Sequence, residues 1–343
     1  MPVTRRDLLL AAGAALAAPA AAFAAGGKKD AAPAVLKGRA LKPGDTIGIA
    51  APASPVSEGV LYRGVGTLEA HGFNVKLGAH VFEEYGFFAG TAEQRAADIN
   101  ALFADPEVDA ILCAKGGYGT AGILDLIDYG AIAAHPKQLI GYSDITGLET
   151  AIWQKTGLIT VNGAMLRSLS GEGGYTEENF FRGLTTLRPM GAIVPPEGEL
   201  TAIRPGKAAG RIVGGNLTLI ASLAGTPYEL KGDGCILVLE EVHEKSYRID
   251  RMLRQLYQNG LFSRIAGLAW GEFYECGTDE GDFTVDEVLR HWSKVCGKPA
   301  LCGLPVGHRL EATAYLPIGA MAEIEADETG GALFTVTEAH AVL

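Results

Sequence analysis

The chain has 343 residues, of which 48% are apolar, 46 are glycine and 5 are cysteine, and its 29 basic and 40 acidic residues give a net charge of -11. Without a block of basic residues, this charge excludes a protein that binds duplex DNA or an anionic membrane electrostatically. A chain of this length folds as roughly two domains without needing disulfides, so we expect a globular enzyme that handles a small or peptidic ligand.

Residues 1–24 have the pattern of a secretory signal. Arg5 and Arg6 precede an alanine-rich apolar run that ends in the small-residue pattern AFA, which indicates the twin-arginine export route and a cleavage site. An uncleaved membrane anchor is the alternative, but Pro19 interrupts the run. We therefore expect a periplasmic protein without stable membrane insertion after cleavage, in which residues 25–37 are a flexible leader.

Short apolar runs alternate with helical patterns from Asp45 onward. Strands are predicted at 46–54, 73–78, 108–115 and 137–143, and helices at 60–72, 91–106 and 144–157. This alternation predicts a doubly wound α/β domain over residues 38–187, with a parallel sheet covered on both faces. Ligands of such sheets bind beyond the carboxyl ends of the strands.

The pattern changes in the second half of the chain. Residues 188–210 contain four prolines and are predicted to be a linker. Residues 211–343 are predicted to form a smaller β-rich α+β domain, with strands in GRIVGG, GCILVLEEV, IAGLAWGEF, AEIEAD and LFTVTEAH and helices near 216–224, 248–259 and 284–294.

The cysteines carry no metal or redox signature, because they are odd in number and include no CxxC pair. Cys113 and Cys235 lie in apolar strand-like runs, where a buried inert thiol is expected. A disulfide between Cys296 and Cys302 is possible in an oxidising compartment, and the sequence does not decide whether it forms. We predict neither a metal site nor a cysteine nucleophile.

Two glycine-containing turns follow predicted strands and should lie at the same edge of the sheet. In Gly141-Tyr142-Ser143-Asp144 a strand turns sharply into a helix, which would expose the Ser143 hydroxyl beside the helix N-terminus. Ile145 occupies the fifth position, so GxSxG is not met, and Ser143 could equally be a simple helix cap. Residues 116–119, GGYG, could aim backbone N–H groups at an anion, or could form an ordinary turn.

Two further residues could take part in acid–base chemistry. Glu240 ends the apolar run CILVLE, where its carboxylate could orient a histidine. Glu241, His243 and Glu244 follow it, but their spacing does not fit zinc, and solvated charges are the commoner explanation. His308 lies in a loop-like segment between prolines, and a lone histidine is usually structural.

In combination these features are specific, and the chain resembles the LD-carboxypeptidases. These serine peptidases include the muramoyltetrapeptide carboxypeptidases and the microcin C immunity peptidases. The resemblance runs from about residue 40 to 340 in the family's order. It is carried by GTAEQRAADINALFADPEVDAILCAKGGYG (90–119), IGYSDITGL (140–148), GGNLTLIASLAGTP (214–227), LVLEEVHEKSYRIDRMLRQL (237–256) and LPVGHRLEATAYLPIGA (304–320).

The resemblance implies an active site between an N-terminal α/β domain and a β-rich C-terminal domain. Ser143 then corresponds to the nucleophile, Glu240 to the carboxylate and His308 to the base, and the backbone N–H groups of Asp144 and Gly117 are candidates for the oxyanion hole. The implied substrate is a murein tetrapeptide, cut between the L-centre of meso-diaminopimelate and D-alanine. The resemblance implies an enzyme that needs no metal or organic cofactor and binds no nucleic acid. It also implies a homodimer.

Some positions depart from the family pattern and affect substrate contacts. Lys115 stands where Arg is frequent, and Asn162 begins the triplet NGA where HGP is common. Arg248 and Arg251 could bind the terminal carboxylate, or could equally support Glu240 or pair with Asp250. Two alternatives to a murein peptidase remain: a microcin-immunity-type peptidase acting on peptidyl or aminoacyl nucleotides, and a non-catalytic periplasmic peptide-binding protein.

Overall fold

The computed structural model describes residues 34–169 and 174–343. The signal predicted at residues 1–24 and most of the leader predicted at 25–37 lie outside the described residues, so both remain predictions. Within the described ranges, no helix is both long and apolar enough to span a membrane.

Two sheets and their helices build the described chain. The strands are β1 (Thr46–Ala50), β2 (Asn74–Leu77), β3 (Ala110–Cys113), β4 (Gln138–Gly141), β5 (Thr160–Asn162), β6 (Gly191–Ala192), β7 (Thr201–Arg204), β8 (Gly206–Asn216), β9 (Ile236–Val242), β10 (Gly267–Tyr274), β11 (Ala300–Cys302), β12 (Leu316–Ile318), β13 (Met321–Ala326) and β14 (Ala332–Val336). The helices are α1 (Glu58–Ala70), α2 (Ala92–Ala104), α3 (Tyr129–Ala134), α4 (Thr146–Thr156), α5 (Tyr175–Thr185), α6 (Leu217–Leu223), α7 (Ser246–Gln258), α8 (Leu261–Arg264) and α9 (Val285–Cys296).

The first sheet has the strand order β12-β5-β4-β3-β1-β2. β1 to β5 are parallel, and every residue of β3 and β4 is buried, as expected for a parallel sheet with both faces covered. The predicted α/β architecture of the N-terminal half is therefore confirmed. β12 comes from the C-terminal half and pairs antiparallel with β5.

The boundaries of helix α2 are determined by its local sequence. Thr91 caps it by accepting a hydrogen bond from the Gln94 N–H at 3.3 Å, and the Gln94 side chain accepts one from the Thr91 N–H at 2.8 Å. The helix ends before Pro106, because the residue preceding a proline avoids helical geometry. Its observed range, Ala92–Ala104, lies within the predicted one.

The second sheet has eight strands in the order β6-β14-β13-β8-β9-β10-β11-β7. β8 to β11 run parallel, whereas β7 and β13 pair antiparallel with β11 and β8, so the sheet is mixed. Leu217, Leu253 and Trp292, from α6, α7 and α9, pack in one buried cluster with Trp270 of β10. This arrangement confirms the predicted β-rich second domain.

The predicted linker requires a correction. Residues 188–210 contain β6, β7 and the beginning of β8, and Ile193 and Leu200 are buried. The prolines misled the prediction, because Pro189, Pro195, Pro196 and Pro205 all lie outside the strands, and β6 and β7 are short edge strands. The segment joins the two sheets and also forms the edges of the second.

Candidate active site

Ser143 lies on a sharp turn between a strand and a helix. β4 ends at Gly141, Ser143 has φ +64°, and a short 3₁₀ helix, Ser143–Ile145, leads into α4. A side chain at Gly141 would come within 2.7 Å of Ile145, so the turn requires glycine. A non-glycine residue in the left-handed region is strained and is held there by its surroundings. The predicted strand–turn–helix geometry is present despite the absence of GxSxG.

The structure brings the three residues expected at the active site together. His308 Nε2 lies 2.9 Å from Ser143 Oγ, and His308 Nδ1 lies 2.8 Å from Glu240 Oε2. Glu240 is on β9 and fully buried, while His308 keeps 15% of its side chain exposed. With the carboxylate ionised, Nδ1–H donates to Glu240 and Nε2 accepts the serine proton.

The environment of His308 favours its charged form. Burial opposes the charge, but the hydrogen bond to Glu240 and the charges of Glu240 and Glu241 outweigh it, so the pKa of His308 is raised above its ordinary value. Arg167 acts in the opposite direction. Glu240 thereby stabilises an imidazolium formed after proton transfer from Ser143.

The GGYG turn lies directly against the serine. A Cβ atom at Gly116 would be 3.0 Å from Ser143 Cβ, and one at Gly117, which has φ +117°, would be 2.3 Å from Ser54 Oγ. The Tyr118 N–H donates to that Ser54 hydroxyl at 3.1 Å. Gly117 therefore lies in a turn that is fixed by its contacts with Ser54 and that adjoins Ser143. An oxyanion-hole residue is expected in such a position.

Asp144 connects the two turns through its side chain. Its buried carboxylate accepts a hydrogen bond from the Thr120 N–H at 2.8 Å, and the Thr120 hydroxyl donates to the Asp144 carbonyl. Burial raises the pKa of Asp144, while bonds from Thr120 and Gly119 work against the rise. Asp144, whose N–H is a candidate for the oxyanion hole, is thus held by hydrogen bonds to the end of the GGYG turn.

Arg95, to which no sequence motif pointed, also supports this turn. Its side chain is buried and donates to the carbonyl oxygens of Pro52, at 2.7 Å, and Gly119, at 2.9 Å. The only available signal was a charged residue at an inward-facing helical position of α2.

Solvated charges were expected after Glu240, but the first of these residues is buried. Glu241 is buried and accepts hydrogen bonds from the Thr218 N–H and hydroxyl at 2.9 and 2.7 Å. His243 is exposed, and Glu244 pairs with Arg248 at 3.4 Å. Across residues 34–169 and 174–343, no group of three or more His, Cys, Asp or Glu side chains is arranged to hold a metal ion.

Each of the five cysteines is a free thiol in the structure, including Cys296 and Cys302. Burial raises the pKa of every one of them, to about 11 for Cys235 and Cys276. A raised pKa keeps a thiol protonated and unreactive.

Exposed aromatic rings and basic residues lie next to the GGYG turn. The exposed rings of Tyr118 and Phe87 lie 5.5 Å apart, centroid to centroid. Lys115 donates to the Pro55 carbonyl at 3.2 Å. Arg167 follows β5, is exposed, and donates its backbone N–H to Ala114 at the end of β3. The GGYG turn is thus bordered by aromatic rings and by basic residues.

The arrangement is suited to nucleophilic catalysis. A serine on a strained turn, a histidine that can accept its proton and a buried carboxylate that orients the histidine are the parts of an acyl-transfer site. All three are joined by hydrogen bonds without an intervening group.

Comparisons with known proteins also indicate a peptidase. A family model described as the LD-carboxypeptidase N-terminal domain matches residues 47–163, and one described as the LD-carboxypeptidase C-terminal domain matches residues 209–324. A "Probable murein peptide carboxypeptidase" of Bacillus subtilis is 40% identical over 305 residues, covering 85% of this chain and 92% of the relative. The "Murein tetrapeptide carboxypeptidase" of Pseudomonas aeruginosa is 32% identical over 286 residues, covering 81% and 92%.

A third relative is the "Microcin C7 self-immunity protein MccF" of Escherichia coli. It is 30% identical over 320 residues, covering 83% of this chain and 91% of the relative. A solved structure of MccF in complex with glutamyl sulfamoyl guanosine matches with a TM-score of 0.78 and 26% identity, covering 90% of this chain and 100% of that one.

Proposed function

Because the chain belongs to the LD-carboxypeptidase family, a family of serine-type carboxypeptidases, we propose that it removes the C-terminal D-alanine from murein tetrapeptides. The bond cut joins the L-centre of meso-diaminopimelate to D-alanine. The observation that carries the proposal is the continuous chain of hydrogen bonds from Ser143 through His308 to Glu240. Relatives named as murein carboxypeptidases support the choice of substrate.

In the first step, His308 Nε2 takes the proton of Ser143 while Oγ attacks the carbonyl carbon of the diaminopimelate residue. Glu240 holds the imidazole in the tautomer that leaves Nε2 free to accept, and stabilises the cation that forms. The backbone N–H groups of Asp144 and Gly117 donate hydrogen bonds to the developing oxyanion. Loss of one such donor costs about 3 kcal/mol in transition-state stabilisation.

In the second step the carbon–nitrogen bond breaks, and His308 gives its proton to the departing amine of D-alanine. Water then attacks the acyl-enzyme, with His308 acting again as the base, and Ser143 regains its proton. Every proton transfer uses the same imidazole, so no step calls for a metal or an organic cofactor.

The place of action is part of the proposal. The twin-arginine pattern in residues 1–24 supports export, and a murein substrate occurs in the periplasm, where we propose that the protein acts, as a homodimer. A reporter fused to residues 1–30 should be exported, and its retention in the cytoplasm would show that the localisation is wrong. Sedimentation of the mature protein tests the dimer.

The decisive experiment follows D-alanine release from purified murein tetrapeptide by mass spectrometry. We expect turnover by the wild-type protein and none by Ser143→Ala, while a tetrapeptide ending in L-alanine is cut poorly. Normal turnover by Ser143→Ala would exclude the proposed mechanism.

The likeness to MccF favours one other candidate, a peptidase acting on aminoacyl or peptidyl nucleotides. Comparison of kcat/KM for glutamyl sulfamoyl guanosine and for murein tetrapeptide separates the two substrates. A fluorophosphonate that labels the wild type but not Ser143→Ala would exclude the third possibility, a non-catalytic peptide-binding protein.

A further inference from the structure

A second buried carboxyl group lies behind the triad. Glu149 is in the first turn of α4, six positions after Ser143, and Asn162 is the last residue of β5. Both side chains are fully buried, as is Glu240. The proposed mechanism assigns no role to either Glu149 or Asn162.

Strand register places Asn162 beside the strand that leads to Ser143 and near the strand pair that carries Glu240. Asn162 is opposite Gly141, two residues before Ser143, in the pairing of β4 with β5. Its Nδ2 atom lies 3.3 Å from the position a Cβ atom would take at Gly215. Gly215 is on β8, and the next residue of that strand is opposite Glu240. The Asn162 amide therefore reaches the strand pair that carries Glu240.

The enclosed polar atoms of these residues complement one another. Glu240 Oε1, both side-chain heteroatoms of Asn162 and both carboxyl oxygens of Glu149 are buried without a hydrogen bond of regular geometry to protein groups. A protonated Glu149 supplies one donor, Asn162 supplies an acceptor and two donors, and Glu240 Oε1 is an acceptor. Rotation about the terminal torsions, which are broad for Glu and Asn, can join them.

The surroundings of Glu149 favour its neutral form. Burial raises its pKa well above the ordinary value, the Asn162 amide opposes the rise, and the charge of Glu240 adds to it. The titratable groups that face Glu149 are Glu240 and the thiol of Cys113, and burial likewise raises the pKa of Cys113. Neither group is a cation that would stabilise an ionised Glu149.

We propose that Glu149 and Asn162 are positioning residues of the triad: neutral Glu149 donates to Asn162 Oδ1, and Asn162 Nδ2 donates to Glu240 Oε1. The second bond fixes the rotation of the Glu240 carboxylate, so that Oε2 meets His308 Nδ1. This inference rests on the proposed function for its catalytic meaning.

Substitutions at Glu149 test the proposal. Glu149→Gln is isosteric with the neutral acid and keeps a donor, so kcat should stay within about twofold of the wild type. Glu149→Leu removes the donor, and kcat should fall about tenfold with KM unchanged, the change expected for roughly one hydrogen bond. Asn162→Leu should behave in the same way, and the double variant should lose no more than either single one.

Two spectroscopic measurements do not depend on turnover. At pH 7, the difference between the infrared spectra of the wild type and Glu149→Gln should contain the band of a protonated carboxylic acid. The NMR resonance of the His308 Nδ1 proton should move in Glu149→Leu and Asn162→Leu but not in Glu149→Gln. A merely structural role would not move this resonance selectively.

The outcomes are distinguishable. Absence of the infrared band, or an equal loss of kcat in Glu149→Gln and Glu149→Leu, overturns the proposal. If Glu149→Leu does not fold, the Gln variant and the infrared band still decide. If murein tetrapeptide is not cut by the wild type, the proposed function fails, while fluorophosphonate labelling rates and the His308 resonance continue to test the positioning.

Discussion

Gly116 lies against the Ser143 side chain so closely that a methyl group at this position would be 3.0 Å from Ser143 Cβ and 3.2 Å from its Oγ. We therefore expect Gly116→Ala to push Ser143 out of line with His308 and to lower kcat/KM at least tenfold, since small misplacements of a nucleophile have large effects. Peptide turnover measures the loss.

Gly122→Ala is the matched control, because a Cβ atom there meets nothing within 4 Å. It should retain wild-type kcat/KM. Equal activity of Gly116→Ala and Gly122→Ala would mean that the GGYG turn yields without disturbing Ser143.

The strained backbone of Ser143 should be detectable as a difference in stability. Ser143→Ala and Ser143→Gly both remove the hydroxyl and its hydrogen bond to His308, but only glycine relieves a φ of +64°. The left-handed conformation costs an L-residue about 1–2 kcal/mol, and the flexibility of glycine offsets part of this gain. We expect Ser143→Gly to be about 1 kcal/mol more stable than Ser143→Ala in urea unfolding. Equal stability would mean that the turn stores no strain.

The pH dependence of turnover should follow His308. The imidazole must be neutral to accept the serine proton, and its pKa is raised above the ordinary value of about 6.5. The acid limb of kcat/KM should therefore have its midpoint above about pH 6.5. In Glu240→Gln the raising charge is lost and burial remains, so an NMR titration of His308 should show a lower midpoint. A midpoint that is unchanged in the variant would contradict the electrostatic role of Glu240.

Local patterns were enough to predict most of the fold. The boundaries of α2 followed from a capping residue and a proline, and the alternation of strands and helices gave the parallel sheet. β5 and β12 were not predicted, because each has only three residues and depends on pairing with strands elsewhere in the chain: β5 pairs with β4 and β12, and β12 pairs with β5.

The candidate site depended on a different kind of information. His308 is 165 residues from Ser143 and 68 from Glu240, so no spacing rule could join them, and the resemblance to a family supplied the set. Glu149 was missed because an acidic residue in the first turn of a helix ordinarily faces solvent and favours the helix dipole. Only the packing of α4 against the sheet shows that it is buried.

A buried histidine away from the site should control stability in acid. His340 is 1% exposed, and one ring nitrogen lies 3.0 Å from the Gly183 carbonyl. Burial lowers the pKa of His340 to about 4, opposed by the bond to Gly183 and aided by Lys37. The unfolded chain takes up this proton near pH 6.5, so the contribution of neutral His340 is complete above that pH and is lost as the pH falls toward 4.

His340→Gln keeps a donor for the Gly183 carbonyl but does not titrate. Between pH 7.5 and 4.5 the free energy of unfolding of the wild type should fall by about 2.5 kcal/mol more than that of the variant, from the difference between the folded and unfolded pKa. Urea unfolding of both proteins at the two pH values gives this difference, and effects of other carboxylates cancel in the comparison. Parallel losses would show that His340 is protonated in the folded protein without cost.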